Sequence, residues 1–225
     1  MSNARTLAGF KPSTLGTLAT KSTVLTSDIT DLTIATADIA DNAVTTAKIP
    51  DSAITTGKLP DAAVTNAKLA QPFTAGTAVS ASGTAVDFTG IPSWAKRIVV
   101  ALSGVSTSGT SFVRVRLGTS AGFEATGYAS VNDTFSTTLS PGLITDGLPC
   151  VQPLATAAVW NVAVTIHNIS GNSWMAVSQG GRTDVAGLTL GSGSKTLAGV
   201  LDRLRITMVN GTDTFDAGTI NIFYE

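Results

Sequence analysis

The chain has 225 residues, 43% of them hydrophobic and 13% charged, which suffices for one substantial core and an appendage. Fourteen Lys and Arg against 15 Asp and Glu leave a net charge of −1, so no field gathers nucleic acid or anionic lipid. A single cysteine, Cys150, excludes an intrachain disulfide, and no apolar run approaches the roughly twenty residues that insert across a bilayer.

Residues 1–20 open with MSNARTLAGF, which lacks the apolar core of a signal peptide. Leu7, Phe10, Leu15 and Leu18 are scattered among Gly, Ser and Thr without a period. Such a segment is either a disordered tail or a peptide that orders on docking to another protein.

Residues 21–70 repeat every ten residues: KSTVLTSDIT, DLTIATADIA, DNAVTTAKIP, DSAITTGKLP, DAAVTNAKLA. The fourth place is always β-branched (Val24, Ile34, Val44, Ile54, Val64) and the ninth always aliphatic (Ile29, Ile39, Ile49, Leu59, Leu69). Five residues advance a helix by about 500°, which leaves no apolar stripe, so a long helix or coiled coil is excluded. In a straight strand an odd spacing would send successive aliphatics to opposite faces, so the chain bends or winds once per repeat. Asp at the start of four repeats, with Pro50 and Pro60 just before two of them, supplies turns, while Thr, Val and Ile favour extended backbone between.

Two aliphatics per decade, worth about 1.5–3 kcal/mol each when fully buried, fall short of the roughly 10–20 kcal/mol that ordering ten residues costs. Three identical chains winding around an axis bury each repeat's aliphatics against two neighbours and add interchain backbone hydrogen bonds; a single-chain solenoid of the pentapeptide type is the alternative. Asp at position one and Lys at position eight of the later repeats suit pairing between neighbouring chains on such a shaft.

Beyond Gln71 and Pro72 the composition changes, and residues 71–225 read as strands. Ile98, Val100 and Leu102 share a face; Val113, Val115 and Leu117 alternate with Phe112, Arg114 and Arg116. Trp160, Val162, Val164 and Ile166 form a further set, as do Leu204, Ile206 and Met208, and Ile220, Ile222 and Tyr224. Gly- and Ser-rich stretches at 103–111 and 187–194 read as turns. The expectation is an all-β chain: an extended repeat shaft, intertwined as a trimer, followed by a C-terminal β-sandwich of jelly-roll type.

Several motifs resemble chemistry. Gly118, Ser120 and Gly122 spell G-x-S-x-G after a strand, and Asp133 or Asp146 and then His167 follow in hydrolase order. A nucleophile elbow needs a helix after the serine, which FEATGYASVND does not supply, so a glycine turn and no catalytic residue are expected. Lys195 and Thr196 follow Gly191 as in a phosphate loop, but Ser194 stands where glycine is required. His167, the only histidine, cannot build a metal site within one chain, though three copies on an axis could; no metal or cofactor is expected. Asn210-Gly211 reads as a hairpin turn. Aromatic faces beside polar loops suit sugar rings, which makes Trp94, Tyr128, Trp174 and Arg182 candidate receptor-binding residues; the alternative place for Trp94 and Trp174 is the core or a trimer interface.

The run DNAVTTAKIPDSAITTGKLPDAAVTNAKL resembles the repeats of bacteriophage fibre proteins. GTINIFYE is similar to the end of many phage tail and neck fibre subunits, and FTGIPSWAKRIVVALSGVSTSGTS to the first strands of their distal domain. The resemblance implies a structural, non-enzymatic subunit of a homotrimeric virion fibre, assembled in the host cytoplasm. In it residues 1–20 attach to other virion proteins through Leu7, Phe10 and Leu15, residues 21–70 form the shaft, and residues 71–225 a head that meets a host surface glycan or protein. The alternative within the same resemblance is a capsid or neck decoration fibre that only docks to other virion proteins.

Overall fold

The computed structural model describes residues 35–135, 142–153 and 155–225. Leu7, Phe10, Leu15, Val24, Ile29 and Ile34 lie outside the described residues. The chain divides into two units, Met1–Ala63 and Val64–Glu225.

Each described decade of the repeat turns twice. Positions six to eight close a 3-10 turn, at Thr36–Asp38, Thr46–Lys48, Thr56–Lys58 and Asn66–Lys68. Here Lys48 N–H donates to Thr45 O at 2.9 Å and Ile49 N–H to Thr46 O at 3.1 Å. A second turn crosses the repeat joint, where Ala53 N–H donates to Pro50 O and Ala63 N–H to Pro60 O, both at 3.0 Å. Its third residue is left-handed (Asn42 φ 60°, Ser52 φ 64°, Ala62 φ 62°), as a type II turn requires. The expectation of extended backbone between aspartates is therefore corrected. The β-branched residues fall at bends between two tight turns, because alternate turning in opposite halves of the decade overrides their strand preference. Lys48 and Lys58 reach back within their own repeats, each ammonium donating to the position-three carbonyl, Ala43 O at 2.6 Å and Ala53 O at 2.7 Å.

Beyond the repeat the chain is all-β, in two antiparallel sheets. The strands are β1 (Thr74–Ala75), β2 (Val79–Ser80), β3 (Ala85–Thr89), β4 (Arg97–Thr107), β5 (Val113–Thr119), β6 (Gly122–Phe123), β7 (Tyr128–Phe135), β8 (Gly142–Ile144), β9 (Leu148–Val151), β10 (Trp160–Ser170), β11 (Ser173–Arg182), β12 (Leu188–Thr196), β13 (Arg203–Met208) and β14 (Phe215–Tyr224). The larger sheet runs β1-β14-β4-β10-β11-β12-β7-β8, with β2 also on β14; the smaller runs β3-β13-β5-β6, with β9 also on β5. From β3 onward the chain passes between sheets repeatedly, and only β10, β11 and β12 form an uninterrupted meander.

The alternating residues meet between the sheets. Ile98, Val100, Val115, Leu117, Val164, Ile166, Leu204, Ile206 and Ile220 are fully buried in one core, joined by Trp160 and Leu148. At roughly 25 cal/mol per Å² of apolar surface, this continuous core is the dominant favourable term of the head.

Of the two expected turns, 187–194 is almost wholly strand, and 103–111 is strand in its first half and the β4–β5 connection in its second. Residues 188–194 belong to β12, whose backbone pairs with β11 on one side and β7 on the other. Its glycines are required by long-range neighbours: a Cβ on Gly193 would stand 2.0 Å from Ser130 Oγ, and one on Gly191 2.8 Å from Asn132 Oδ1. Residues 103–107 complete β4, where Gly104 (φ 61°) donates its N–H to Asn161 Oδ1 at 2.8 Å beside a register shift. Asn210-Gly211 carries the chain from β13 in one sheet to β14 in the other, so it is not a hairpin. The Asn210 side chain accepts the N–H groups of Thr212 and Asp213, and Gly211 takes φ 69°.

Candidate functional site

The four candidate receptor-binding residues do not form one external surface. Tyr128 and Trp174 are 3% and 5% exposed. They flank Lys195 across β7, β12 and β11 on the inward side of the larger sheet. The Tyr128 hydroxyl accepts Leu117 N–H at 2.8 Å and donates to Glu124 O at 2.9 Å, and burial pushes its pKa up to about 12. Both residues are thus corrected from receptor candidates to core. Trp94 is half-buried, its ring tilted against Tyr224 at 5.7 Å. Arg182 is held by Asp184 through Nε at 3.0 Å and stands over the Trp160 ring at 5.9 Å.

Lys195 likewise belongs to the interior. Its ammonium pairs with Glu124 at 2.6 Å and donates to Thr126 O at 2.9 Å. Burial works to raise the Glu124 carboxyl, yet the Lys195 ammonium and the Ala198 N–H hold it below its ordinary value. No phosphate cradle exists here, because a strand rather than a loop precedes the lysine.

The G-x-S-x-G motif is a two-residue hairpin: Thr119 pairs with Gly122, Ser120 and Ala121 form the tip, and β6 follows in place of a helix. Ser120 lies on the smaller sheet's β5–β6 tip, whereas His167 lies on the larger sheet's outer face, opposite Arg97 and Met175. Asp146 is engaged by Arg116, whose Nε donates to its carbonyl at 2.8 Å, and by Arg114 at 3.7 Å. Among the described residues no three His, Cys, Asp or Glu side chains gather as metal ligands. Among them, too, no helix is long and apolar enough to cross a membrane.

Among the described residues, exposed apolar side chains form a series on the repeat and a group on one face of the head. On the repeat, all seven described aliphatics at positions four and nine are 41–56% exposed: Ile39, Val44, Ile49, Ile54, Leu59, Val64 and Leu69. On the head, the outer face of the larger sheet exposes Val131, Leu143, Val177, Leu188 and Leu190. An open groove of about 620 Å³ between Val131, Leu143 and Met175 belongs to that face.

The smaller sheet's outer face is the opposite in character. Asp87, Arg205 and Arg116 lie in one cross-strand row, with Arg205 bidentate to Asp87 at 2.7 Å and its guanidinium 4.3 Å from the Phe123 ring. Arg114 is covered on this side, against the Phe112 ring at 4.6 Å, and burial lowers its pKa.

The alternation rule missed the larger sheet's outer face. A signal was present in β4, where Ile98, Val99, Val100, Ala101 and Leu102 run without a polar break. Such a run marks a strand covered on both faces. Comparisons with family models, curated proteins and solved structures find no match for this chain.

Proposed function

We propose that this chain is a subunit of a homotrimeric bacteriophage tail or neck fibre, a structural protein without catalytic residues. In this reading residues 1–20 dock to other virion proteins, the repeat is the shaft, and the distal head contacts the host surface. The observation that carries the reading is the repeat itself, with aliphatics every five residues left 41–56% exposed on one chain. A pentapeptide solenoid would turn these side chains inward within the chain, which their exposure disfavours. Identical copies in register supply a matching row at every decade, and the half-covered aliphatics then gain most of their transfer free energy, about 0.8–1.5 kcal/mol each.

The jelly-roll reading of the head is supported by strand order. β3-β13-β5-β9 corresponds to one of the two four-stranded sheets of that topology. β4, then the β10–β12 meander in the place of one strand, then β7 and β8 correspond to the other.

Light scattering on the full chain tests the assembly: a mass of three chains is expected, and a monomeric mass overturns the fibre reading. Immunogold labelling of intact particles tests the location. Label at the tail or neck supports the assignment, and absence from purified particles overturns it.

A further inference from the structure

We infer that the outer face of the nine-stranded sheet is the surface through which three heads of this chain meet, each sheet turned toward the others around the axis. The inference rests on the trimeric reading and adds which surface of the head is covered, and by what: the same face of neighbouring copies.

Leu69 of the last decade is followed four residues later by Phe73, whose ring stacks on Phe223 at 6.0 Å and 11°. Phe223 is an outward residue of β14, so the exposed apolar series of the repeat's last decade (Val64, Leu69) continues through Phe73 onto this face. Copies joined through their repeats are tethered at this corner of the sheet, which raises the effective concentration of this face against itself to the millimolar range or so.

Phe223, Val99, Thr165, Val177, Ser192 and Val131 lie side by side across six strands in one continuous row. The adjacent row on one side, Asn221, Ala101, Ala163, Gln179, Leu190 and Asp133, carries one charge, at its far end; the row on the other side opens with Arg97, paired with Glu225 at the strand ends, and continues through His167, Met175, Ser194 and Ala129. Neutral, small and flat side chains across so many strands allow close approach of another sheet at about 10 Å. The smaller sheet's outer face, with Asp87, Arg205 and Arg116 in one row and Arg203 paired to Asp202, already has its charges satisfied, and covering it would strip their water.

β4 carries the unbroken apolar run from Ile98 to Leu102. Its inward residues Ile98, Val100 and Leu102 are covered by the core, whereas Val99 and Ala101 point the other way on a strand whose sequence reads as buried on both sides. A ring of three such faces is closed by rotation, so each copy's row contacts its neighbours' without leaving an open face.

The test uses the full chain with single cysteines, Val177→Cys and Val99→Cys on the larger sheet and Thr89→Cys on the smaller, treated with a short bismaleimide. The unmodified chain is the control, since Cys150 is buried. Val177→Cys and Val99→Cys are expected to give covalently linked chains on a denaturing gel, and Thr89→Cys none above the control. If the chain scatters as a trimer but Thr89→Cys links as well as or better than both larger-sheet variants, the face assignment fails and the trimer stands. If the chain scatters as a monomer, the fibre reading fails with it.

Discussion

Gly218 lies where β14 slips register against β4, between Ala217 and Thr219. Its φ of 99° is open to glycine and strained for any other residue. A Cβ there would stand 2.5 Å from Val105 Cα, 2.6 Å from Gly104 O and 2.7 Å from Gly104 C. All three atoms are backbone, so no side-chain rotation relieves the overlap and β4 must separate from β14. Gly211 is the matched control, with φ 69° and nothing within 4 Å of a built Cβ. Alanine at 211 carries a backbone cost of about 1–2 kcal/mol, offset by about 0.4–1 kcal/mol from the stiffer unfolded chain. At 218 the overlap adds about 1–3 kcal/mol, the range seen for overpacked interiors. Gly218→Ala is therefore expected to cost about 2–4 kcal/mol and Gly211→Ala about 1 kcal/mol or less. Urea unfolding of the full chain, followed by tryptophan fluorescence, reads both. Equal midpoints for the two variants would refute the close-approach argument.

Two further outcomes follow from the titrating groups. Burial pushes the Cys150 thiol up to about 12, so Ellman's reagent at pH 8 should leave it unmodified in the folded chain and modify it fully in denaturant; stoichiometric labelling of folded protein contradicts its burial. The Arg182 hydrogen bond holds Asp184 at about 2, below its ordinary 3.8. A carboxylate lowered by folding stabilises above its unfolded value and loses that contribution as pH falls from about 4 toward 2. Asp184→Asn should accordingly show a shallower loss of stability over that window, and superimposable acid profiles would dismiss the pair as a contributor.

The strand faces were legible wherever one side of a strand meets the core and the other meets water or charge. Leu204, Ile206 and Met208 are buried while Arg203 and Arg205 point outward, as alternation requires. Legibility failed where distant residues set the local geometry. The glycines of β12 read as a flexible loop because the reason for them, Ser130 and Asn132 on β7, lies some sixty residues away in sequence. Arg114 alternates with valines and so reads as exposed, yet β9 pairs beside it and the residue leading into β9 packs on it; a Cβ on Gly147 would stand 2.7 Å from Arg114 Cβ. Tyr128 and Trp174 read as loop aromatics, and only the β7–β12–β11 register shows them flanking a buried lysine. In the repeat, the bend per decade followed from the odd spacing of aliphatics. The second, 3-10 turn did not, since Thr-Ala-Lys carries no strong turn signal of its own.

The position of β14 bears on how the chain is made. It lies between β4 on one side and β1 and β2 on the other, yet it follows all three in the chain. During synthesis, β1 and β2 emerge without a partner, and Phe73 without the Phe223 ring on which it stacks. A polypeptide interrupted before residue 215 also lacks Phe215, Ile220 and Ile222 from its interior. Such a truncated product leaves the segment that joins repeat to head unsecured. Only chains translated through β14 therefore supply the strand on which β1 and β2 pair.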